Sequence, residues 1–416
     1  MIDFLSLSND SFGMEISDTA VRLIKLARRR EKVVAVAAGF AAIEKDVIKD
    51  GDVKNTEKLV LAIKKALVNS VGEKIRTKRV AVSLPENKSF LQVIKMPKMR
   101  DRDLRAAVIF EAENYIPLPL EKVYLDFEAV ALPQAVPAES GCEVQIAALD
   151  RQTADSRVDA VVRAGLMPVA MELESQAVVR ALFATKNMDS PTAIIQIGDT
   201  RTNIIICYRN SIRFSFSIPV SNNYFLEKIA QNLKVDIETA QNLKVKCGIE
   251  DFIRSSIAIK RDNGNVPPKT DDIQINEQQK IFDALIPGLV DFIQQAKKCF
   301  QYYQTHESDS AAQNSAIGKI LICGSGSNLK ALDEFISLKL GLPVSYPTRF
   351  IDIKPIETKG SDKLLCQSLC GFSVATGLAL REFAKQELIK KEQKIKPVPV
   401  PKIKINPRER ARIKIN

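Results

Sequence analysis

The chain of 416 residues is 45% hydrophobic and 27% charged, with a formal net charge of +11. That is the composition of a globular protein with room for two to four subdomains, and it excludes a disordered chain. Its apolar stretch at 33–43 is far too short to span a bilayer, and MIDFLSLSND lacks the basic region and long apolar run of a secretory signal. Seven scattered cysteines without a C-x-x-C fit a reducing compartment, so a cytoplasmic protein is expected.

Residues 12–26 predict a strand, a polar turn at Ser17-Asp18-Thr19, and a second strand. Phe12, Met14 and Ile16 alternate before the turn, and Val21, Leu23 and Leu26 resume after it. A turn of hydroxyls and free N–H groups suits phosphate oxygens, and equally a solvated hairpin. A third strand follows at 33–43. The stretch 55–72 predicts a helix capped by Thr56 and stopped by Gly72, with Leu59, Ile63, Ala66 and Leu67 on one face. Strands are predicted at 79–85, 89–97, 123–132 and 142–149, with helices at 100–116 and 151–165. Alternating strands and helices place the chain in the α/β or α+β class.

A second half opens near Pro191. Residues 192–219 read as three strands, and the first turn, Gly198-Asp199-Thr200-Arg201-Thr202, is again hydroxyl-rich. The recurrence suggests an internal duplication. Helices are predicted at 222–233 and 236–248, a surface loop at 261–272, and a long helix at 276–306 broken at Pro287-Gly288. The one histidine, His306, ends that helix and gives no basis for metal or triad chemistry. Residues 319–341 predict a strand, a turn through Gly324, Ser325, Gly326 and Asn328, and a helix whose N-terminus would favour anions. The turn is neither a Walker A loop nor a complete G-x-G-x-x-G. Residues 364–391 read as mostly helical. Between Lys390 and Asn416 ten basic and two acidic residues give a surplus of eight charges, so the rest of the chain is close to neutral. This is a basic arm on a neutral body, not a nucleic-acid-binding face; the arm has no aromatic residue to stack on a base.

The two hairpins and the glycine turn, in this order, resemble the actin-like ATPase superfamily, and within it the type IV pilus assembly PilM family, a relative of FtsA. The resemblance is carried by GMEISDTAVRLIKL (13–26), VAVSLPENKSFLQVIKMP (80–97), EAENYIPLPLEKVYLDF (111–127), IIQIGDTRTNIII (194–206), VDIETAQNLKVKCG (235–248), ILICGSGSNLKALDEFI (320–336) and GFSVATGLALR (371–381). It implies a two-lobed α/β fold with a small inserted α+β subdomain. The first lobe would comprise 1–83, 166–190 and about 373–390, the insertion 84–165, and the second lobe 191–372 with 221–316 as its outer part. The basic tail, 391–416, would be disordered.

The resemblance further implies ATP with Mg²⁺ as cofactor. The nucleotide would lie among Ser17, Asp18, Thr19, Arg22, Gln196, Gly198, Asp199, Thr200, Arg201, Thr202, Lys244, Gly324, Ser325, Gly326 and Asn328. Five positions depart from the family pattern: Glu15 stands for Asp, Ser17 for Gly, Arg22 for Lys, Gln196 for Asp and Gln241 for Glu, whereas Lys244 is kept. Thinned carboxylates around Mg²⁺ imply weak or absent hydrolysis. The implied role is a cytoplasmic platform subunit at the inner membrane, binding the N-terminal peptide of a PilN-like membrane protein near NYIPLPL (114–120). Contact of the tail with the membrane surface and self-association are further implied partners; nucleic acid is not. The alternative is an active, filament-forming ATPase of the FtsA type.

Overall fold

The computed structural model describes residues 10–30, 32–97, 99–130, 141–183, 190–208, 211–247, 249, 272–306, 316–347 and 369–394. In chain order, β1 (Phe12–Ile16), β2 (Ala20–Arg29) and β3 (Lys32–Ala42) are followed by the short pair β4 (Ile48–Lys49) and β5 (Asp52–Val53), helix α1 (Thr56–Val68), β6 (Val71–Gly72) and β7 (Arg79–Leu84). Next come β8 (Ser89–Met96), α2 (Asp101–Ala112), β9 (Val123–Val130), β10 (Cys142–Asp150), α3 (Arg151–Arg163), β11 (Met167–Leu173) and α4 (Glu174–Phe183). The second half contributes β12 (Thr192–Ile197), β13 (Thr202–Tyr208), β14 (Ser211–Ile218), α5 (Asn222–Leu233), α6 (Ile237–Cys247), α7 (Asp272–His306), β15 (Lys319–Cys323), α8 (Leu332–Leu340), β16 (Val344–Ser345) and α9 (Ser373–Lys394).

Two sheets organise the molecule. The first runs β11-β7-β1-β2-β3-β6 and the second β16-β15-β12-β13-β14-β8-β10-β9. Both contain the same unit, an antiparallel hairpin whose first strand also pairs in parallel with a later strand: β1 with β2 and β7, β12 with β13 and β15. Strands covered on both faces need apolar residues at every position, and β12 (Thr-Ala-Ile-Ile-Gln-Ile) is buried throughout. The antiparallel trio β8, β10 and β9 joins the second sheet, among the described residues, through the bridge of Phe214 to Gln92. That trio encloses its own core with α2, built on Ile94, Val108, Ala112, Val144 and Ile146.

Several local expectations are corrected. Helix α1 is capped by Asn55, whose side chain accepts from Lys58 N, and it ends at Val68; Gly72 lies in β6 instead. Helix α7 runs unbroken through Pro287. A proline costs one helical hydrogen bond, and packing compensates: Gly288 lies so close to the Tyr224 ring that a Cβ there would meet Cε1 at 2.2 Å. No helix starts directly after the glycine turn. Residues Ser325–Asn328 form one 3-10 turn, and α8 begins only at Leu332 with Asp333 and Glu334 in its first turn, the wrong charge for an anion site. Segment 167–183, not assigned from sequence, supplies β11 and α4. The loop predicted at 261–272 lies outside the described residues except for Asp272, which begins α7, and the arm beyond Lys394 lies outside them altogether.

Candidate functional site

The two hairpin turns face each other across a cleft, with the glycine turn beside them. Asp199, at the tip of the β12–β13 hairpin, ties all three together. It accepts from Thr19 Oγ1 at 2.9 Å and Arg22 Nη2 at 2.7 Å, both on the first hairpin, and from Ser325 Oγ at 2.5 Å. Arg22 also reaches Glu15 Oε1 at 3.2 Å. Burial acts to raise the Asp199 pKa, but Arg22, Ser325 and Thr19 outweigh it and bring the carboxyl below its ordinary value. Asp199 is therefore a carboxylate held by three donors. At the cleft mouth Arg201 pairs with Asp50 at 2.9 Å, a second link between the halves.

A buried polar wall stands behind this latch. Arg157, fully buried on α3, donates to the carbonyls of Ile16 at 2.9 Å and Gly51 at 3.0 Å, fastening the first turn from below. Asp18 accepts from Gly51 N at 3.0 Å. Glu86 accepts from Ser175 N at 3.1 Å and from Ser215 Oγ. Glu174 accepts from Asn203 Nδ2 at 3.0 Å. Burial pushes Glu15 up to about 7, against the pull of Arg22. Burial, then the charges of Glu15 and Glu86, push Glu174 up to about 8. One oxygen of Glu15, Oε2, is buried without a hydrogen-bond partner among the described residues.

Of the residues expected around a nucleotide, Ser17, Asp18, Arg22, Gln196, Gly198, Asp199, Thr200, Arg201, Gly324 and Ser325 line this cleft, and Thr19 joins it through Asp199. The others do not reach it. Gln196 is itself occupied, accepting from Asn203 Nδ2 at 3.3 Å. Thr202 is buried at the start of β13 with its hydroxyl unpartnered among the described residues. Lys244 is buried behind the second hairpin and donates to Asn222 Oδ1, and burial lowers its pKa to about 8. Gly326 packs on Ile197 and Asn222, and Asn328 is exposed. Gly324, at φ 98°, lies so close to β12 that a Cβ would fall 2.2 Å from Ile197 O. The two glycines serve close packing of the turn against its own lobe.

Sequence reasoning missed Glu86, Glu174 and Arg157. A signal existed for Arg157: it shares the i, i+3, i+4 face of Ala154, Ala160 and Val161, all buried.

The cleft does not fit a nucleotide in this conformation. Its cavity volume is about 60 Å³, whereas small-molecule sites span about 300–1,000 Å³. Three side-chain donors that phosphate oxygens would take, Thr19, Arg22 and Ser325, already serve Asp199. Among the described residues no group of three His, Cys, Asp or Glu side chains is placed to hold a metal ion. A roomier site lies elsewhere. A groove of about 570 Å³ runs between the first lobe at Asp52–Lys54 and the insertion at Ile116, Pro117 and Leu118.

Paired hairpin-headed sheets around a cleft, with a small α+β insertion, define a two-lobed actin-like ATPase fold. The profile of the type IV pilus assembly protein PilM family matches residues 13–258, more than half of the chain, and the chain belongs to that family. The profile of the cell division protein FtsA matches residues 193–356. Among solved structures the chain is similar to the PilM-PilN type IV pilus biogenesis complex, with a TM-score of 0.70 at 22% identity over 90% of this chain and 99% of that one. It is more distantly similar to the ethanolamine utilization protein EutJ from Carboxydothermus hydrogenoformans (TM-score 0.49, 14% identity, 89% of this chain and 88% of that one). MreB5 of Spiroplasma citri bound to AMPPNP stands at the same distance (TM-score 0.49, 11% identity, 92% and 98%). Among the described residues no helix is long and apolar enough to cross a membrane.

Proposed function

We propose that this protein is a platform component of type IV pilus assembly, or of a related secretion machine, at the cytoplasmic face of the inner membrane. It captures the N-terminal cytoplasmic peptide of a PilN-like membrane protein. Its nucleotide cleft is degenerate: ATP with Mg²⁺ enters only by displacing Asp199, and hydrolysis is slow or absent.

The observation that carries this reading is the contrast between the two concavities. The cleft is closed on itself at about 60 Å³, while the groove beside the insertion offers about 570 Å³. The groove combines apolar side chains, Phe90, Ile116, Leu118 and Val123, with exposed polar groups such as Gln152 and Lys54. That mixture suits an extended peptide, whose side chains seek apolar pockets while its backbone needs hydrogen-bond partners. Similarity to the partner-bound PilM-PilN complex supports the same partner class.

The test is titration of a labelled peptide matching the N-terminus of a PilN-like protein against wild type and Leu118→Arg. Wild type is expected to bind and the variant to lose at least ten-fold in affinity. Equal binding by both would place the peptide elsewhere.

A further inference from the structure

The pole of the first lobe opposite the cleft is strongly basic. β1 starts there at Phe12 and ends beside the cleft at Ile16, whereas β2 leaves the cleft at Ala20 and reaches that pole at Arg29. Pairing of β1 with β2 stops at Gly13 and Ile24, but β2 stays paired with β3 as far as Arg29 and Lys32. Among the described residues the end of this hairpin therefore runs on past β1 as a two-stranded ribbon. Its tip carries Arg28, Arg29, Arg30 and Lys32, all exposed. Segment 73–78 then crosses the same end of the sheet from β6 to β7, bringing the exposed Lys74, Arg76 and Lys78. The crossing is fixed at both ends. Glu73 N donates to Val36 O at 2.8 Å, and the Glu73 carboxylate pairs with Arg29. Thr77 Oγ1 donates to Asp10 O at 2.6 Å, and Lys78 O accepts from Met167 N at 2.8 Å.

Segments 28–32 and 73–78 together hold seven cations against Glu31 and Glu73, a surplus of five charges. The chain before Lys390 has a surplus of only three, so the rest of that body is slightly acidic and its positive charge is gathered at one end. Arg30 adds a second sign that charge is wanted there. It sits at φ 56°, a left-handed position in a hairpin turn that Asn or Gly adopts with less strain.

We infer that this pole is a docking surface for an anionic lipid bilayer, met end-on with the cleft turned away. Successive side chains of a strand point to opposite faces, so Arg28 and Arg29 spread charge around the tip instead of lining one wall, a shape that suits a plane. Neither segment has an aromatic or amide side chain to stack on or read a base. The tip, Arg-Arg-Arg-Glu-Lys, has no apolar side chain to insert, so the contact is electrostatic and is released by salt. The choice of a bilayer rests on the proposed place at the inner membrane, but not on peptide capture.

The test is co-sedimentation with phosphatidylcholine vesicles, with and without phosphatidylglycerol, at low and high salt. Four full-length chains are compared: wild type, a tip variant (Arg28→Ser, Arg30→Ser, Lys32→Ser), a crossing variant (Lys74→Ser, Arg76→Ser, Lys78→Ser) and an arm variant (Lys402→Ser, Lys404→Ser, Arg412→Ser, Lys414→Ser). The tip variant keeps Arg29 and its ion pair with Glu73. Wild type is expected to bind only the anionic vesicles and only at low salt, with the tip and crossing variants each weaker by about ten-fold or more. A footprint on wild type alone needs no variant to fold: anionic vesicles should slow acetylation of Lys32, Lys74 and Lys78 but not of the exposed Lys54 beside the peptide groove. Equal binding by wild type and both pole variants, or an unchanged footprint, overturns the proposal. Loss confined to the arm variant overturns it in favour of the arm. Binding of the same chains to duplex DNA but not to vesicles overturns it in favour of a nucleic acid. Peptide titration of the same chains reads capture separately, so a failure of docking and a failure of the proposed function are told apart.

Discussion

Asp199→Ala is the perturbation that most directly tests how the cleft is held. The Asp199 side chain is only 14% exposed and accepts three side-chain hydrogen bonds, from Thr19, Arg22 and Ser325. A hydrogen bond to a charged group contributes about 1.5–3 kcal/mol, and removing one partner of a buried ion pair costs about 3–5 kcal/mol. Two effects reduce the sum here. Arg22 keeps Glu15 at 3.2 Å, and water enters the vacated space to serve Thr19 and Ser325. The expected loss is therefore about 2–3 kcal/mol. The protein has no tryptophan, so urea unfolding is best followed by far-UV circular dichroism. A cycle with Arg22→Met should give a coupling energy of about 1.5–3 kcal/mol. The control is Asp50→Ala, which removes the more exposed link to Arg201 (58% and 31% exposed) and should cost less than about 1 kcal/mol. A loss below about 0.5 kcal/mol for Asp199→Ala, or equal losses for Asp199 and Asp50, would refute the latch.

Glu174 makes stability depend on pH. Its pKa rises from 4.5 to about 8 on folding; the unfolded chain ionises first, so the native state is disfavoured progressively as pH climbs from 4.5 to 8. Glu174→Gln should be neutral at pH 4.5 and stabilising by about 2–4 kcal/mol at pH 8, read from urea unfolding at both. Ser17→Gly combined with Gln196→Asp should raise Mg²⁺-dependent nucleotide affinity, measured with a fluorescent ATP analogue; unchanged affinity would mean that the latch alone excludes the nucleotide. Excision of 84–165, the boundary expected from sequence, also removes Arg157 with its two backbone bonds, and Ala160 and Val161 from the first-lobe core. It should leave an unfolded first lobe by circular dichroism. Excision of 90–148 with a Gly-Ser link should keep both lobes folded, because Ser89 and Leu149 are paired neighbours.

Legibility followed the range of the interactions. The hairpins at 17–19 and 198–201 were readable because strand alternation and turn chemistry are local. Gln196 and Glu15 stand out as departures only against the family pattern that the sequence resembles. Glu86 and Glu174 gave no local sign, since their burial comes from packing at the junction of the lobes and the insertion. Pro287 was read as a break because the rule is local, whereas the Gly288–Tyr224 contact that keeps α7 continuous spans more than sixty residues. The polar 323–328 segment was read as a turn into a helix, but Gly324 at φ 98° sends the chain into a 3-10 turn against Ile197 first. Which acceptor the donors of the first hairpin choose could not be read at all. Phosphate and Asp199 satisfy the same local pattern, and only the approach of the two lobes decides between them.

The most direct test of the account is isothermal titration of the PilN-like N-terminal peptide into the full-length protein, with and without Mg²⁺-ATP, alongside steady-state phosphate release. The account predicts peptide binding of the same affinity in both conditions and phosphate release at background level. Peptide binding that requires Mg²⁺-ATP, together with sustained turnover, would contradict it.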